Sequence, residues 1–363
     1  MTAPSQAEPL LPASIPEVLA AVRDTPRVLP IGAGTKTALA SPPAGFVALA
    51  LRRLTDIVEY DPGEYTFTAL AGTPLAEIAR ALAAHGQYLP FDPPFGAAGA
   101  TLGGTIGAGL SGPGRQRYGG VRDFILGVRF VTGAGELARG GGKVVKNAAG
   151  FDLPKLLAGS LGRLGVVVEA TFKVFPHPRA MATLHVEHDS FDATLRAVTV
   201  LAAAPFDLEA IELSPPGALW LRLGGVPETF PDRLARLGQL VGGRATRMEA
   251  QAEGAFWRAD PWCPLQAGES LVKVPVTLAA IPEFDRVLAA AGAARRYSAG
   301  GSLVWINWPS ALTELDALLR QRGLAGVVLL GSPSHGLLGA TRGDSFRQRV
   351  KSALDPAGRF PEF

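Results

Sequence analysis

The chain has 363 residues, 47% hydrophobic and 18% charged, with mean hydropathy +0.20; that is apolar enough for a large core, too apolar for disorder, and long enough for two domains. Thirty-five Lys and Arg against 32 Asp and Glu leave a net charge of +3 with no basic run interleaved with aromatics, which excludes a nucleic-acid footprint. The single cysteine, Cys263, excludes an intramolecular disulfide, a cysteine-ligated zinc site and an iron–sulfur cluster held by this chain alone.

Met1 to Pro16 lacks the basic start and apolar run of a signal peptide, and no apolar run approaches ~18 residues, so a cytoplasmic protein with no membrane span is expected. The Pro-rich tail to about Ala13 is expected to fray. Ser14-Ile15-Pro16-Glu17 then opens a helix to about Arg23, with Ser as N-cap and Glu completing a capping box. Strands are predicted over Arg27–Ile31, Phe46–Leu51 and Tyr65–Ala71, and a helix carrying Leu75, Ile78, Ala79 and Leu82. Residues 93–120 show neither periodicity, apart from room for one short helix between Ala100 and Leu110, and an ordered stretch of that length is usually functional. A strand over Gly127–Thr132 and a short helix over Leu153–Leu157 come next. Val166–Phe175 alternates, with Val166, Val168, Ala170, Phe172 and Val174 on the apolar face and Glu169, Thr171 and Lys173 on the other. Pro176-His177-Pro178 marks a domain boundary.

Beyond it the texture changes. Strand 183–188, helix 191–203, strands 208–213 and 218–223, and helix 231–241 are followed by strand 271–276, helix 282–291, strand 302–308, helix 310–321 and strand 325–330. This rhythm predicts ferredoxin-like halves with an antiparallel sheet. A last helix spans Asp344–Leu354.

Two phosphate motifs fail on counting. Gly32-Ala33-Gly34-Thr35-Lys36-Thr37 has Thr where G-x-G-x-x-G needs its third Gly, and Leu29 stands where a Walker A loop ending at Gly34 needs Gly. Gly142-Lys143 is followed by Val144 rather than Ser or Thr. What remains is a strand running into Pro30-Ile31-Gly32-Ala33-Gly34-Thr35-Lys36, whose successive N–H groups can form an anion nest. A second loop, Ala100-Thr101-Leu102-Gly103-Gly104-Thr105-Ile106-Gly107-Ala108-Gly109, offers more amides without side chains in the way. Two such loops suit an extended ligand with two phosphates; each taken alone also reads as turn chemistry.

These loops, with Tyr118-Gly119-Gly120-Val121-Arg122-Asp123-Phe124-Ile125-Leu126-Gly127 and Gly159-Ser160-Leu161-Gly162-Arg163-Leu164-Gly165-Val166-Val167, stand in an order that resembles the vanillyl-alcohol-oxidase/PCMH-type FAD-binding family. Gly141-Gly142-Lys143-Val144-Val145-Lys146-Asn147-Ala148-Ala149-Gly150-Phe151-Asp152-Leu153 and Leu354-Asp355-Pro356-Ala357-Gly358-Arg359-Phe360 look most like the FAD-binding subunits of bacterial glycolate oxidase. The flavin-domain resemblance covers about residues 14–178 and is weak over 183–343.

The resemblance implies an α+β flavoprotein: a PCMH-type FAD-binding domain over 1–178, a ferredoxin-like α/β cap over 179–335 on the substrate side, and a C-terminal helix over 336–363 returning to the first domain. It implies that 31–36 and Gly103-Gly104 hold the FAD pyrophosphate with Lys36 neutralising charge at the rim. Pro30, Ala100, Thr101, Leu102, Thr105 and Gly107 would lie along the cofactor, and Gly165-Val166 at its adenine or flavin end. Attachment in the superfamily uses a His in the first loop, sometimes with a Cys in the second; here Lys36 and no Cys imply non-covalent FAD. Partners implied are a catalytic FAD subunit and an iron–sulfur subunit acting on glycolate or another small 2-hydroxy acid, in the cytoplasm or peripheral to the inner membrane through those partners. A self-sufficient FAD-dependent 2-hydroxy acid dehydrogenase and a structural subunit with a vestigial flavin site stand as alternatives. No catalytic base is identified. His185 and His188, three apart on a predicted strand, face opposite sides, so no metal site is expected. His335 lies in a loop that could reach the flavin, or is a solvated loop histidine; Arg122-Asp123 reads as a surface or turn pair. The family's C-terminal Asn-Pro-Gly is replaced by Arg359-Phe360-Pro361, so contacts of the chain end with the flavin domain do not follow from the sequence.

Overall fold

A computed structural model describes residues 8–142, 152–331, 336–341 and 343–363. The chain forms two compact units, one from Met1–Ser111, Gly120–Pro176 and Thr341–Phe363, the other from Gly112–Gly119 and His177–Ala340. Among the described residues no helix is long and apolar enough to cross a membrane.

The first unit opens with α1 (Ile15–Asp24), β1 (Val28–Ile31), α2 (Thr37–Ala40) and β2 (Val47–Ala50). The Ser14 hydroxyl accepts from Glu17 N at 3.4 Å and the Glu17 carboxylate accepts from Ala13 N at 2.9 Å, so α1 starts where its cap chemistry dictates. β1 and β2 pair in parallel. The tail is not frayed at residue 10: Leu10 donates to Ala48 O and accepts from Ala50 N, extending that pair. A leucine whose backbone completes a strand edge gains what a loose tail lacks.

Next come β3 (Ile57–Asp61), β4 (Thr66–Leu70), α3 (Leu75–Ala83), β5 (Gln87–Tyr88) and α4 (Leu102–Ala108). The short α5 (Arg115–Tyr118) clusters with the second unit, where Arg117 pairs at 3.3 Å with the buried Glu209 carboxylate. The first unit resumes with β6 (Ile125–Val131), β7 (Leu137–Gly141), α6 (Leu153–Leu157), β8 (Val166–Lys173) and β9 (Phe175–Pro176). Its five-stranded antiparallel sheet has the order β3-β4-β8-β6-β7. β8 is its centre, and α4 packs against it. The predicted apolar face of β8 is buried, but Thr171 of the other face is buried too, its hydroxyl 2.8 Å from that of Thr68. Glu169 pairs with Arg129 at 3.0 Å. A central strand covered on both faces buries polar residues only with partners. Below the sheet, Phe172 stacks on Phe67 at 5.7 Å and faces Phe91 at 6.4 Å.

The second unit runs β10 (Ala180–Glu187), α7 (Phe191–Ala202), β11 (Leu208–Ser214), β12 (Ala218–Gly225), α8 (Phe230–Val241), β13 (Arg244–Arg247) and α9 (Ala250–Arg258). Then follow β14 (Ser270–Pro275), α10 (Ile281–Ala290), β15 (Ala294–Ser298), β16 (Leu303–Trp308), α11 (Leu312–Gln321), β17 (Ala325–Leu330) and β18 (Leu337–Gly339). One antiparallel sheet holds nine strands in the order β13-β10-β12-β11-β15-β16-β14-β17-β18. β13, α9, β15 and β18 were not expected from the sequence. β15 reads as polar, yet Arg295 grips both Asp285 oxygens at 2.6 and 2.7 Å, and Arg296 and Ser298 donate to the buried Glu212 carboxylate at 2.9 and 2.8 Å. Burial pushes the Glu212 carboxyl above the usual range, with the Arg296 guanidinium opposing it.

α12 (Asp344–Leu354) belongs to the first unit, and the residues after it are tied down. Val28 N donates to Arg359 O at 2.8 Å, and the Arg359 guanidinium donates to Thr25 O at 2.9 Å. The missing Asn-Pro-Gly therefore does not cost the chain end its contacts. Asp355, Arg359 and Phe360 supply the partners instead.

Phe172→Ala should destabilise the first unit by about 3–5 kcal/mol, as a ring with no exposed surface leaves a cavity in a stacked cluster. Urea unfolding followed by far-UV circular dichroism checks it.

Candidate functional site

The first unit contains an open cleft of about 720 Å³, counting the solvent space at its mouth. Three stretches of chain wall it. The end of β1 and the turn after it contribute Pro30, Ile31, Gly32, Ala33, Gly34, Thr35 and Lys36; α4 and its cap contribute Thr101, Gly103, Gly104 and Gly107; and Gly165 belongs to the third stretch. Four further candidate residues do not line it: Ala100, Leu102, Thr105 and Val166 are buried in the core beside it. Sequence reasoning missed Leu39, Ala40, Leu51, Ala108, Ser160, Leu161, Gly162 and Val167 as lining residues. The glycine-rich run 159–165 was the available signal for three of them.

The walls approach so closely that several positions have no room for a side chain. A Cβ on Gly32 would lie 2.3 Å from Thr101 Oγ1, and one on Gly104 would lie 3.1 Å from the same oxygen. Thr101 is the N-cap of α4, its hydroxyl accepting from Gly104 N at 3.3 Å. Backbone bonds Leu102 N to Thr73 O and Gly103 N to Ala71 O hold that end of α4 against the chain leading into α3. At the other end, Gly159 N donates to Ile106 O at 2.9 Å and Leu161 N to Gly107 O at 2.8 Å, which hangs the third wall from α4.

Polar groups in the cleft are few. The β1–β2 ladder ends at Ile31, and the amides of Gly32, Ala33, Gly34 and Thr35 find no protein acceptor among the described residues. Lys36 is buried in the wall, its ammonium 3.0 Å from Thr35 Oγ1 and 5.1 Å from the centre of the Phe95 ring. It is the one ionisable side chain among the lining residues. Open amides in a turn beside a buried ammonium are chemistry that can receive an extended anion. The glycine cradle adds room for backbone contact along its length.

The other sequence candidates lie elsewhere. His185 stacks on Trp220 at 5.1 Å, whereas His188 lies past the strand end, its ring nitrogens 3.0 Å from Val241 O and 3.3 Å from Thr194 Oγ1. Among the described residues no group of three or more His, Cys, Asp or Glu is placed to hold a metal ion. Asp123 accepts from Gly120 N at 2.8 Å and so closes a turn. His335 and residues 143–151 of the Gly141–Leu153 run lie outside the described residues.

The family profile described as an FAD binding domain matches residues 9–141, which places the chain among FAD-binding proteins. Glycolate oxidase subunit GlcE of Escherichia coli is 34% identical over 359 residues, covering 96% of this chain and 95% of that one. The chain belongs to the family of that glycolate oxidase subunit. Glycolate oxidase subunit GlcD of Bacillus subtilis is 33% identical over 189 residues, 51% of this chain and 40% of GlcD, so the chain spans less than half of that longer relative. Among solved structures, an alkyldihydroxyacetonephosphate synthase superposes with TM-score 0.69 at 16% identity, covering 96% of this chain and 74% of that one, a likeness of fold.

Gly32→Ala should destabilise the first unit by ~1–3 kcal/mol through its contact with Thr101 Oγ1. Adding Thr101→Ala should recover part of that loss despite the missing cap. A double-mutant cycle measured by urea unfolding tests the approach, and additive effects would show that the two walls do not touch.

Proposed function

We propose that this chain is the FAD-binding subunit of a glycolate-type 2-hydroxy acid oxidase or dehydrogenase, holding its FAD non-covalently in the cleft of the first unit. The observation that carries the reading is the end-to-end match to GlcE together with the cleft itself, in which one buried ammonium and a row of open amides face the same space. The 31–36 loop would hold the pyrophosphate, the open amides of Gly32, Ala33, Gly34 and Thr35 donating and Lys36 offsetting the charge. Thr101, Gly103, Gly104 and Gly107 would lie along the cofactor, Ala100, Leu102 and Thr105 would brace them from the core, and Gly165-Val166 would border one end. The absence of side chains at Gly32 and Gly104 supports this placement, because it lets the turn after β1 and α4 meet and present backbone to the same space. FAD bound there supplies two-electron redox chemistry for a CH–OH substrate.

The lining favours a cofactor-holding role over a base-catalytic one, since Lys36, placed toward the phosphate-binding turn, is its one ionisable group. Proton removal from the substrate hydroxyl then falls to a partner, which fits a chain whose single cysteine cannot ligate an iron–sulfur cluster. Partners in this reading are a catalytic FAD subunit and an iron–sulfur subunit, in the cytoplasm. We read the domains as 1–178 for the cofactor, 179–335 as a ferredoxin-like cap, and 336–363 as the segment whose helix α12 returns to the first unit after β18. The cap reading is supported by strand order: β13-β10-β12-β11 and β17-β14-β16-β15 each run fourth, first, third, second.

Purified chain should take up FAD, and acid precipitation should release all of it to the supernatant; a yellow pellet would contradict non-covalent binding. Gly104→Val should lower FAD affinity at least tenfold, read by flavin fluorescence titration, while the cofactor-free protein stays folded with its stability lowered by ~1–3 kcal/mol. Equal affinity in both proteins would remove the cleft as the FAD site. The chain alone should not reduce dye with glycolate, whereas co-purification from its host should bring a second flavoprotein and a cysteine-rich iron–sulfur protein.

A further inference from the structure

The third wall of the cleft is an unusual stretch of backbone. Leu161 has φ +55°, a conformation that L side chains rarely adopt, and its neighbours Gly159 and Gly162 have φ of +82° and +73°. Such a turn persists only where its surroundings hold it. One hold has been described, the bonds from Gly159 and Leu161 to α4. The second comes from a residue 188 positions later: Lys351 on α12 donates to Arg163 O at 2.8 Å.

Lys351 is 2% exposed, and its ammonium also donates to Asp355 Oδ2 at 2.6 Å, Phe360 O at 2.9 Å and Pro361 O at 3.2 Å. Asp355 in turn accepts from Arg359 N at 2.8 Å and Phe360 N at 2.9 Å. A buried ion pair with this many hydrogen bonds is fixed in one geometry, so the Arg163 carbonyl is fixed with it. The Arg163 and Arg347 guanidinium groups lie 5.5 and 5.4 Å from the centre of the Phe363 ring, adding a side-chain contact between the same loop and α12. Ser160, Leu161 and Gly162 line the cleft between the α4 hold and the Lys351 hold.

We infer that Lys351, backed by Asp355, is a positioning residue for the cofactor site, holding the Ser160–Gly162 wall in its binding conformation through the Arg163 carbonyl. The inference rests on the reading of the cleft as the FAD site. With one hold removed, the wall samples other conformations, and apparent affinity falls in proportion to the fraction that stays competent.

The test is FAD titration by flavin fluorescence, with the unfolding temperature measured with and without FAD and the visible circular dichroism of the bound flavin. Lys351→Met combined with Asp355→Asn removes both charges together, leaving no lone buried ion, while Asn keeps an acceptor for the Arg359 amide. The double variant should bind FAD at least tenfold more weakly, lose most of the FAD-induced rise in unfolding temperature, and alter the flavin dichroism. A pair with only a structural role would lower the unfolding temperature and leave the FAD dissociation constant and dichroism unchanged, which overturns the inference. Should the double variant not fold, Lys351→Met alone carries the test, since the Asp355 carboxylate keeps its two backbone donors: an affinity loss of threefold or more supports the role, and wild-type affinity overturns it. If wild-type protein takes up no FAD, the cofactor reading itself fails and the positioning role with it; FAD bound equally by wild type and variants removes the positioning role alone.

Discussion

The first unit depends on backbone meeting backbone where side chains would keep it apart. Gly32 lies against the Thr101 hydroxyl, Gly103 against Ala71, Gly109 against Gly159, and Gly162 against the Pro30 ring, each with too little space for an unadjusted Cβ. These contacts draw the turn after β1, helix α4 and the 159–165 loop toward one another. The cleft is the space left between three stretches that cannot approach further. Its polar character follows from the same constraint: a wall without side chains presents amides, and Lys36 supplies the charge that amides lack.

That economy makes the wall dependent on what stands behind it. Bare backbone has no interdigitating side chains to fix it, so its conformation is set from outside by hydrogen bonds at defined carbonyls. α4 receives such bonds at Ile106 and Gly107, and it is itself anchored through Thr73 and Ala71. The chain end extends the same logic. Lys351 and Asp355 satisfy each other and five backbone groups, one of them in the 159–165 loop.

Much of this was legible in the sequence. The cap of α1 reads directly from Ser14 and Glu17, because capping is local chemistry. The two glycine loops stood out for the reason they matter, since glycine at that density marks backbone that must come close to something. What the sequence hid is what depends on tertiary partners. Thr171 looked solvent-facing by alternation, yet it is buried against Thr68 in a strand covered on both faces. β15 looked like loop because Arg295 and Arg296 interrupt its apolar character; their carboxylates, Asp285 and Glu212, lie 10 and 84 residues away. Ala100, Leu102, Thr105 and Val166 share a motif with lining residues but turn into the core, as alternate positions of a capped helix and a strand must. Lys351 carried no signal at all. A lysine in a polar helix has no mark to say that its ammonium is buried.

The first unit is also discontinuous: its third stretch, Thr341–Phe363, follows the whole of His177–Ala340. On the ribosome that interval occupies roughly 10–30 s at ~5–20 residues per second. During it the sheet and the glycine loops exist without α12 and without the ammonium that holds the Arg163 carbonyl. Nascent chains thus pass through a stage in which all three walls of the cleft have been made while the 159–165 loop is held by α4 alone.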